Sequence, residues 1–271
     1  MGAEAAACLR NWLAAHRRVF VLTGAGCSTA SGIPDYRGAD GAWKRSAPIT
    51  YQAFTGDAAM RARYWARSVV GWPMVDGARP NAAHIAIAQA GHAGHVTALV
   101  TQNVDGLHQR AGSRDVIDLH GRIGQVVCLQ CRRTTPRAAL QAELVGLNPG
   151  WGERIATRAP DGDADVADDD IADFRVAPCR ACGGMLKPDV VFFGENVPRD
   201  RVERAAAALS DADAMLVVGS SLMVYSGYRF ARAAREAGKP LAILTRGVTR
   251  ADALATLKVD ADCAAVLATA W

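Results

Sequence analysis

Residues 19–38 limit the possible fold more than any other stretch of this 271-residue chain. They open with Val19-Phe-Val-Leu22, a short apolar run rich in β-branched residues, which has the composition of a buried strand. The run breaks into Gly24-Ala25-Gly26. There the missing side chains allow backbone N–H groups to approach a phosphate. Ser28, Thr29 and Ser31 can cap or start the element that follows. Strand, glycine turn and helix start is the usual way an α/β sheet meets a dinucleotide. The hydride-transfer fingerprint G-x-G-x-x-G does not fit, because Thr29 stands where the third glycine belongs. Pro34-Asp35-Tyr36-Arg37-Gly38 then sets an acid and a guanidinium just past the loop, within reach of a ribose and a pyrophosphate. Taken alone, the same two charges describe a surface pair in a loop.

The remaining chain alternates in the manner of a parallel α/β sheet. Helices are expected over residues 4–17, over 51–70, from an Asn81 cap to about residue 90, and over 198–209 and 227–237. Pro73 and Pro80 punctuate the chain after the second of these. Strands are expected at 96–101, 116–119, 190–193, 214–218 and 241–244. Alternation of this kind predicts a parallel sheet with helices on both faces. Polar residues gather where strands end, at Gln102-Asn103-Val104-Asp105 and at His120-Gly121. That edge is where open α/β sheets bind ligands. His120 is the candidate base, since a histidine near its ordinary pKa accepts a proton at neutral pH. His84 is expected to be structural, and His16, His92, His95 and His108 structural or exposed.

Residues 126–186 differ in character. They hold Cys128-x-x-Cys131 and Cys179-x-x-Cys182, four of the seven cysteines, with short strands and a long irregular stretch. Two such pairs suit a tetrahedral four-cysteine zinc site; four thiolates leave no open position, so the metal would be structural. An odd cysteine count argues against a disulfide framework. Six aspartates fall within 161–170. That run predicts a solvated loop and lacks the pattern of a calcium-binding EF-hand.

A net charge of +4 is too small to argue for nucleic acid. No apolar run reaches membrane-spanning length, and no secretory signal or transit peptide is evident. The expectation is a cytoplasmic monomer with neither a membrane nor a nucleic-acid partner.

Six motifs in order resemble those of the sirtuins, the NAD-dependent protein deacylases. They are the loop Gly24–Gly38, Thr101-Gln-Asn-Val-Asp-Gly-Leu-His108, His120-Gly121, the two cysteine pairs, Lys187-Pro-Asp-Val-Val-Phe-Phe-Gly-Glu195, and Gly219-Ser-Ser-Leu-Met-Val224. The match spans about residues 12–267. The resemblance implies a Rossmann-like large domain, about 12–125 and 187–267, with an inserted zinc module, about 126–186. It implies an NAD site formed by Gly24, Ala25, Gly26, Ser28, Asp35, Tyr36, Arg37, Gln102, Asn103, Asp105, Gly219, Ser220, Ser221, Thr245, Gly247 and Cys263. Asn103 and Asp105 would line the deeper nicotinamide pocket, and His120 and Asn103 would be the catalytic pair. Val191, Phe192, Gly194 and Glu195 would bind the substrate peptide as an added strand. NAD would be co-substrate, acyl-lysine proteins the partners, and O-acyl-ADP-ribose, nicotinamide and free lysine the products.

Within that family, Arg63–Arg67, Gly71-Trp-Pro73, Leu147-Asn-Pro149, Trp151 and Pro160-Asp-Gly-Asp163 resemble the class II branch. Two positions depart from the pattern. Thr245-Arg246-Gly247 replaces a run beginning with Asn, so Thr245 has a shorter reach toward the adenosine ribose. Cys263 lies where a late residue's backbone would meet adenine, and a small buried hydrophobe describes it equally. Tyr64-Trp-Ala-Arg67 has the Tyr-x-x-Arg spacing of desuccinylating sirtuins, yet a helix face with a core Tyr and an exposed Arg is the expectation. Rival activities on the same fold are protein ADP-ribosylation and removal of lipoyl-type or long acyl chains. A remote rival is a zinc-ribbon nucleic-acid binder.

Overall fold

The structure is a computed structural model, and it describes residues 2–44, 48–154, 157–158, 160–166, 171 and 173–271. After α1 (Gly2–Ala14), strand β1 (Val19–Thr23) runs into two 3-10 turns, Ala25–Cys27 and Thr29–Ser31, closed by left-handed Gly32. No α-helix starts there. A phosphate there would have no helix dipole behind it, and the N–H groups of Gly24, Gly26, Cys27 and Ser28 already donate to backbone carbonyls. Helices α2 (Tyr51–Gly56) and α3 (Ala58–Gly77) follow, capped by Thr50 and by Asp57. Pro73 lies inside α3 instead of ending it. Its missing N–H would orphan the Val69 carbonyl, which accepts from Gln141 Nε2 at 2.8 Å instead. The chain continues through α4 (Ala82–His92), β2 (Val96–Thr101), α5 (Leu107–Arg110), β3 (Ile117–Asp118) and β4 (Gly121–Cys128). Next come β5 (Thr134–Pro136), α6 (Arg137–Leu147), β6 (Thr157–Arg158), β7 (Ala164–Asp165) and β8 (Leu186–Val190). The last part comprises α7 (Arg199–Asp211), β9 (Ala214–Val218), α8 (Tyr225–Glu236), β10 (Leu241–Leu244), β11 (Leu257–Val259) and α9 (Cys263–Ala270).

Six strands form one parallel sheet in the order β11-β10-β9-β1-β2-β3. Alternation along each strand sorts the side chains into two cores. Val19, Val21, Leu216, Val218, Ala242 and Leu244 meet residues of α1, α4 and α9. Phe20, Leu22, Met215, Val217, Leu241 and Ile243 meet those of α7 and α8. Helices thus cover both faces, and the central strands β1, β9 and β10 are near-continuous apolar runs for that reason. β1 lies between β2 and β9, so the strand order reverses there. This is the switch point where such sheets open a crevice.

A second, antiparallel sheet, β5-β4-β8, carries the cysteines. The strand expected at 190–193 differs from the one observed. β8 ends at Val190 and pairs with β4, outside the parallel sheet. Val191–Phe193 continue as extended chain, with Val191 N–H donating to His120 O at 2.8 Å and Tyr51 N–H to Phe193 O at 2.8 Å. The core of this lobe joins Phe54, Trp65 and Val69 of α2 and α3 to Val126, Leu140 and Leu144. Fully buried Arg137 stacks on Trp65 and Trp72 and donates to Ser68 Oγ, and burial lowers its pKa to about 10. Of the aspartate-rich run, 167–170 lie outside the described residues.

Candidate active site and metal centre

The crevice at the switch point is a cleft of about 980 Å³. Its floor is glycine meeting glycine. The Gly24 N–H donates to Val218 O (3.0 Å) and the Gly26 N–H to Gly219 O (2.8 Å). A Cβ on Gly24 would lie 2.7 Å from Ser220 Cβ, and one on Gly219 2.1 Å from Cys27 N. Gly219 also has a φ of +63°. The loops after β1 and β9 can therefore touch only as glycines.

Beyond β2, buried Asn103 donates from Nδ2 to Gly24 O and Ser28 Oγ, both at 3.0 Å. Ser28 Oγ in turn donates to Asp105 Oδ2 at 2.7 Å. Burial raises the Asp105 pKa, opposed by the Leu107 N–H and Ser28 hydrogen bonds. Asp105 and Ser28 thus stand behind the cleft wall, with Asn103 in front of them.

His120 follows β3 and lines the cleft. Its Nδ1 lies 2.9 Å from Gln102 O, and a carbonyl can only accept, so the proton is on Nδ1. Nε2 carries the lone pair and accepts from Ser226 Oγ at 2.8 Å. Burial lowers the His120 pKa to about 4, so the imidazole is neutral at pH 7. Gln102 Oε1 accepts from Ser220 Oγ at 2.6 Å. A Cβ on Gly227 would come within 2.6 Å of the Gln102 amide, so the start of α8 seats tightly against it. Ser226 carried no signal in the sequence; only the fold brings it to His120.

Asp35, Tyr36 and Arg37 line the same cleft. Asp35 pairs with Lys44, not with Arg37. Arg37 stacks 4.0 Å above the Trp43 ring and donates to Gly41 O at 2.8 Å. This loop docks on the segment after β10, where Val248 N–H donates to Ala39 O at 2.9 Å. Gly247, at φ +77°, would clash with Ala39 O if it carried a Cβ. Thr245 and Ser221 also line the cleft. Gly247 lies at its rim, and the Cys263 side chain turns into the core, with neighbouring Asp262 on the cleft wall.

The opposite wall comprises Val191, Phe192, Gly194 and Glu195 with Met60, Tyr64 and Arg67 of α3. Glu195 is turned inward: it accepts the Phe192 N–H at 2.9 Å and pairs with buried Lys187 at 3.0 Å. Arg67 differs from the exposed position expected. It grips Asp163 with two parallel bonds of 2.7 Å, and the Ala164 N–H donates to the same carboxylate at 2.8 Å. Gly71 permits this approach, since a Cβ there would lie 2.4 Å from Gly162 O.

The four cysteines of the two pairs converge, with their sulfurs within 4.8 Å of one another. Cys128 Sγ lies 3.5 Å from Cys182 Sγ, and Cys131 Sγ 3.8 Å from Cys179 Sγ. Each pair sits on a turn with a left-handed residue, Arg132 (φ 61°) and Gly183 (φ 72°). Four convergent thiols suit one tetrahedral zinc.

The Sir2 family model matches residues 24–226. An NAD-dependent protein deacetylase of Xanthomonas axonopodis pv. citri is 58% identical over 260 residues, covering 96% of this chain and 89% of that protein. One of Bordetella bronchiseptica is 59% identical, covering 96% and 95%. A solved structure described as Sir2-p53 peptide-NAD+ superposes with a TM-score of 0.76 at 33% identity, covering 95% of this chain and 93% of that one. A Sir2 structure bound to a propionylated peptide gives 0.73 at 31% identity, covering 94% and 92%.

Proposed function

The chain belongs to the Sir2 family, the sirtuins, and from that premise we propose that it is an NAD-dependent protein-lysine deacetylase. The observation that carries the reading is the His120 Nε2 lone pair, turned to the cleft opposite the Gly24–Gly26 and Gly219 loops. NAD, when bound, supplies an electrophilic ribose carbon and a leaving nicotinamide. The chain's own part is positional and protonic. The Cβ-free Gly24–Gly26 turn would let the pyrophosphate approach beside Ala25, and Ser220, Ser221 and Thr245 would border the adenosine half. Asp35, Tyr36 and Arg37 close over the middle. Asn103, steadied by Ser28 and Asp105, faces the nicotinamide end. His120 takes a proton from a ribose hydroxyl at Nε2 while Nδ1–H stays fixed on Gln102 O. Val191–Gly194 offer extended backbone on which a substrate peptide adds as a strand. One zinc on Cys128, Cys131, Cys179 and Cys182 cross-links the lobe that carries this wall.

We assign the chain to the class II branch. The segments bearing that resemblance pack on one another, through Arg67 with Asp163 and Gly71 with Gly162. The molecule divides into a Rossmann-like domain and a zinc module of about 126–186, whose sheet extends from 121 to 190. Because Asp163 occupies the Arg67 guanidinium, the acyl end of the cleft favours neutral acyl groups over succinyl. The working form in this reading is a cytoplasmic monomer acting on acyl-lysine proteins. No helix among the described residues is long and apolar enough to cross a membrane. The test is nicotinamide release from NAD with a panel of acyl-lysine peptides, products weighed by mass spectrometry. Peptide-dependent release with O-acyl-ADP-ribose is expected. ADP-ribose left on protein would indicate ADP-ribosylation instead.

A further inference from the structure

Behind the Ala25–Cys27 turn lies a side-chain cluster that the proposed chemistry does not use. Cys27, His84 and His108 are 1%, 0% and 1% exposed. One ligand-capable atom of each lies within 4.8 Å of the others. The hydrogen bonds determine which atoms are open. Thr23 gives its hydroxyl proton to Thr101 Oγ1 at 2.8 Å, so in its 2.9 Å contact with His108 Nε2 the imidazole is the donor. The His108 proton is thus on Nε2. Nδ1 holds a lone pair that is buried and has no partner. His84 accepts the Asn81 N–H at Nδ1 (3.3 Å), so its proton is on Nε2; Ser28 gives its own proton to Asp105, and the Nε2–H donates to Ser28 Oγ over a long 3.4 Å, so His84 offers no open lone pair. Cys27 carries a neutral thiol, its pKa pushed well up by burial.

We propose that Cys27 Sγ and His108 Nδ1, with His84 packed beside them, form a binding site for a soft monovalent cation of the Cu(I) class. A sulfur and an imidazole are ligands that soft and borderline metals accept. Taking zinc-like bond lengths of about 2.3 Å to sulfur and 2.0–2.1 Å to nitrogen as a guide, a sulfur and a nitrogen stand about 4.3 Å apart across a linear ion. A spacing of up to 4.8 Å needs only a small contraction to reach that. Charge selects the valence. The metal–Sγ bond forms as the Cys27 proton leaves to solvent, so a monovalent ion and a thiolate sum to zero. A divalent ion would leave a net positive charge in the core, which is costly to bury. Besides burial, Cys263 and Asp105 raise the pKa of the Cys27 thiol and Arg110 lowers that of His84. Cys27 ends the turn whose next residue, Ser28, holds Asn103 and Asp105. A cation here therefore sits against the hydrogen bonds that shape the cleft wall.

Metal stoichiometry tests this independently of the deacetylase reading. Zinc-loaded protein is titrated anaerobically with Cu(I) buffered by bathocuproine disulfonate, with zinc release followed in parallel. One Cu(I) per chain is expected with zinc retained, and copper-edge X-ray absorption showing one sulfur and one nitrogen. Cys27→Ala should weaken that uptake by at least about 100-fold, while Cys263→Ala, which removes the neighbouring buried thiol, should not. Absence of uptake, unchanged uptake in Cys27→Ala, or an all-sulfur shell with zinc expelled would overturn the proposal. The wild-type absorption spectrum decides even if Cys27→Ala fails to fold.

Discussion

A single proton position sets the chemistry of the cleft. The Gln102 carbonyl holds the His120 proton on Nδ1, so the lone pair is on Nε2, where it accepts from Ser226. His120→Ala should lower peptide-dependent nicotinamide release by about 10²–10⁴-fold, with zinc content and thermal midpoint unchanged. Normal turnover in that variant would remove the assigned base. Asp163→Asn should loosen the grip on Arg67 beside the acyl end. The ratio of succinyl- to acetyl-lysine turnover is expected to rise about 5–10-fold, in keeping with a bidentate pair that keeps Arg67 mostly buried; an unmoved ratio would place Arg67 out of reach of the acyl group. His120 and the cysteine pairs were legible in the sequence because each follows a local pattern, a strand end or a fixed spacing. The Arg67–Asp163 pair was not, since its partners stand 96 residues apart and only the Gly71 notch brings them together. Ser226 lay hidden for the same reason, 106 residues from His120.

Elements with a continuous apolar run show plainly in the sequence, and those whose pattern is blurred by their surroundings do not. β1, β9 and β10 announce themselves as apolar runs because both faces are buried. β8 has Lys-Pro-Asp in its interior and was misplaced onto the following residues. β11 has three residues, and α9 is apolar nearly all round, so neither offered a period to detect. α6 was read as irregular chain, although it carries Leu140 and Leu144 into the lobe core. That core surrounds Cys128 and Cys179, which makes metal binding part of folding. Cys179→Ala should lose zinc and expose the segment 126–186 to limited proteolysis at neutral pH. A zinc-free variant with wild-type melting and protease resistance would refute the structural role.

At the scale of the whole molecule, burial of three imidazoles governs the response to acid. His84, His108 and His120 are lowered by burial to about 4, about 3 and about 4 from an ordinary 6.5. Between pH 6.5 and 4 the unfolded chain binds protons that the folded one does not, so stability is lost as pH falls through that window. Each histidine contributes up to about 1.4 kcal/mol per pH unit. Urea midpoints should be level from pH 8 to 7 and drop steeply from pH 6 to 5; a flat profile to pH 5 would contradict the buried neutral imidazoles. The glycine floor carries a different consequence. β1, at residues 19–23, must wait for β9, at 214–218, before Gly24 and Gly26 meet Gly219. A contact so distant along the chain forms late. During synthesis, then, the ribosome must release most of the polypeptide before any cleft exists, and a nascent chain stalled short of Gly219 would be blind to nucleotide, however well its first strand and turn were made.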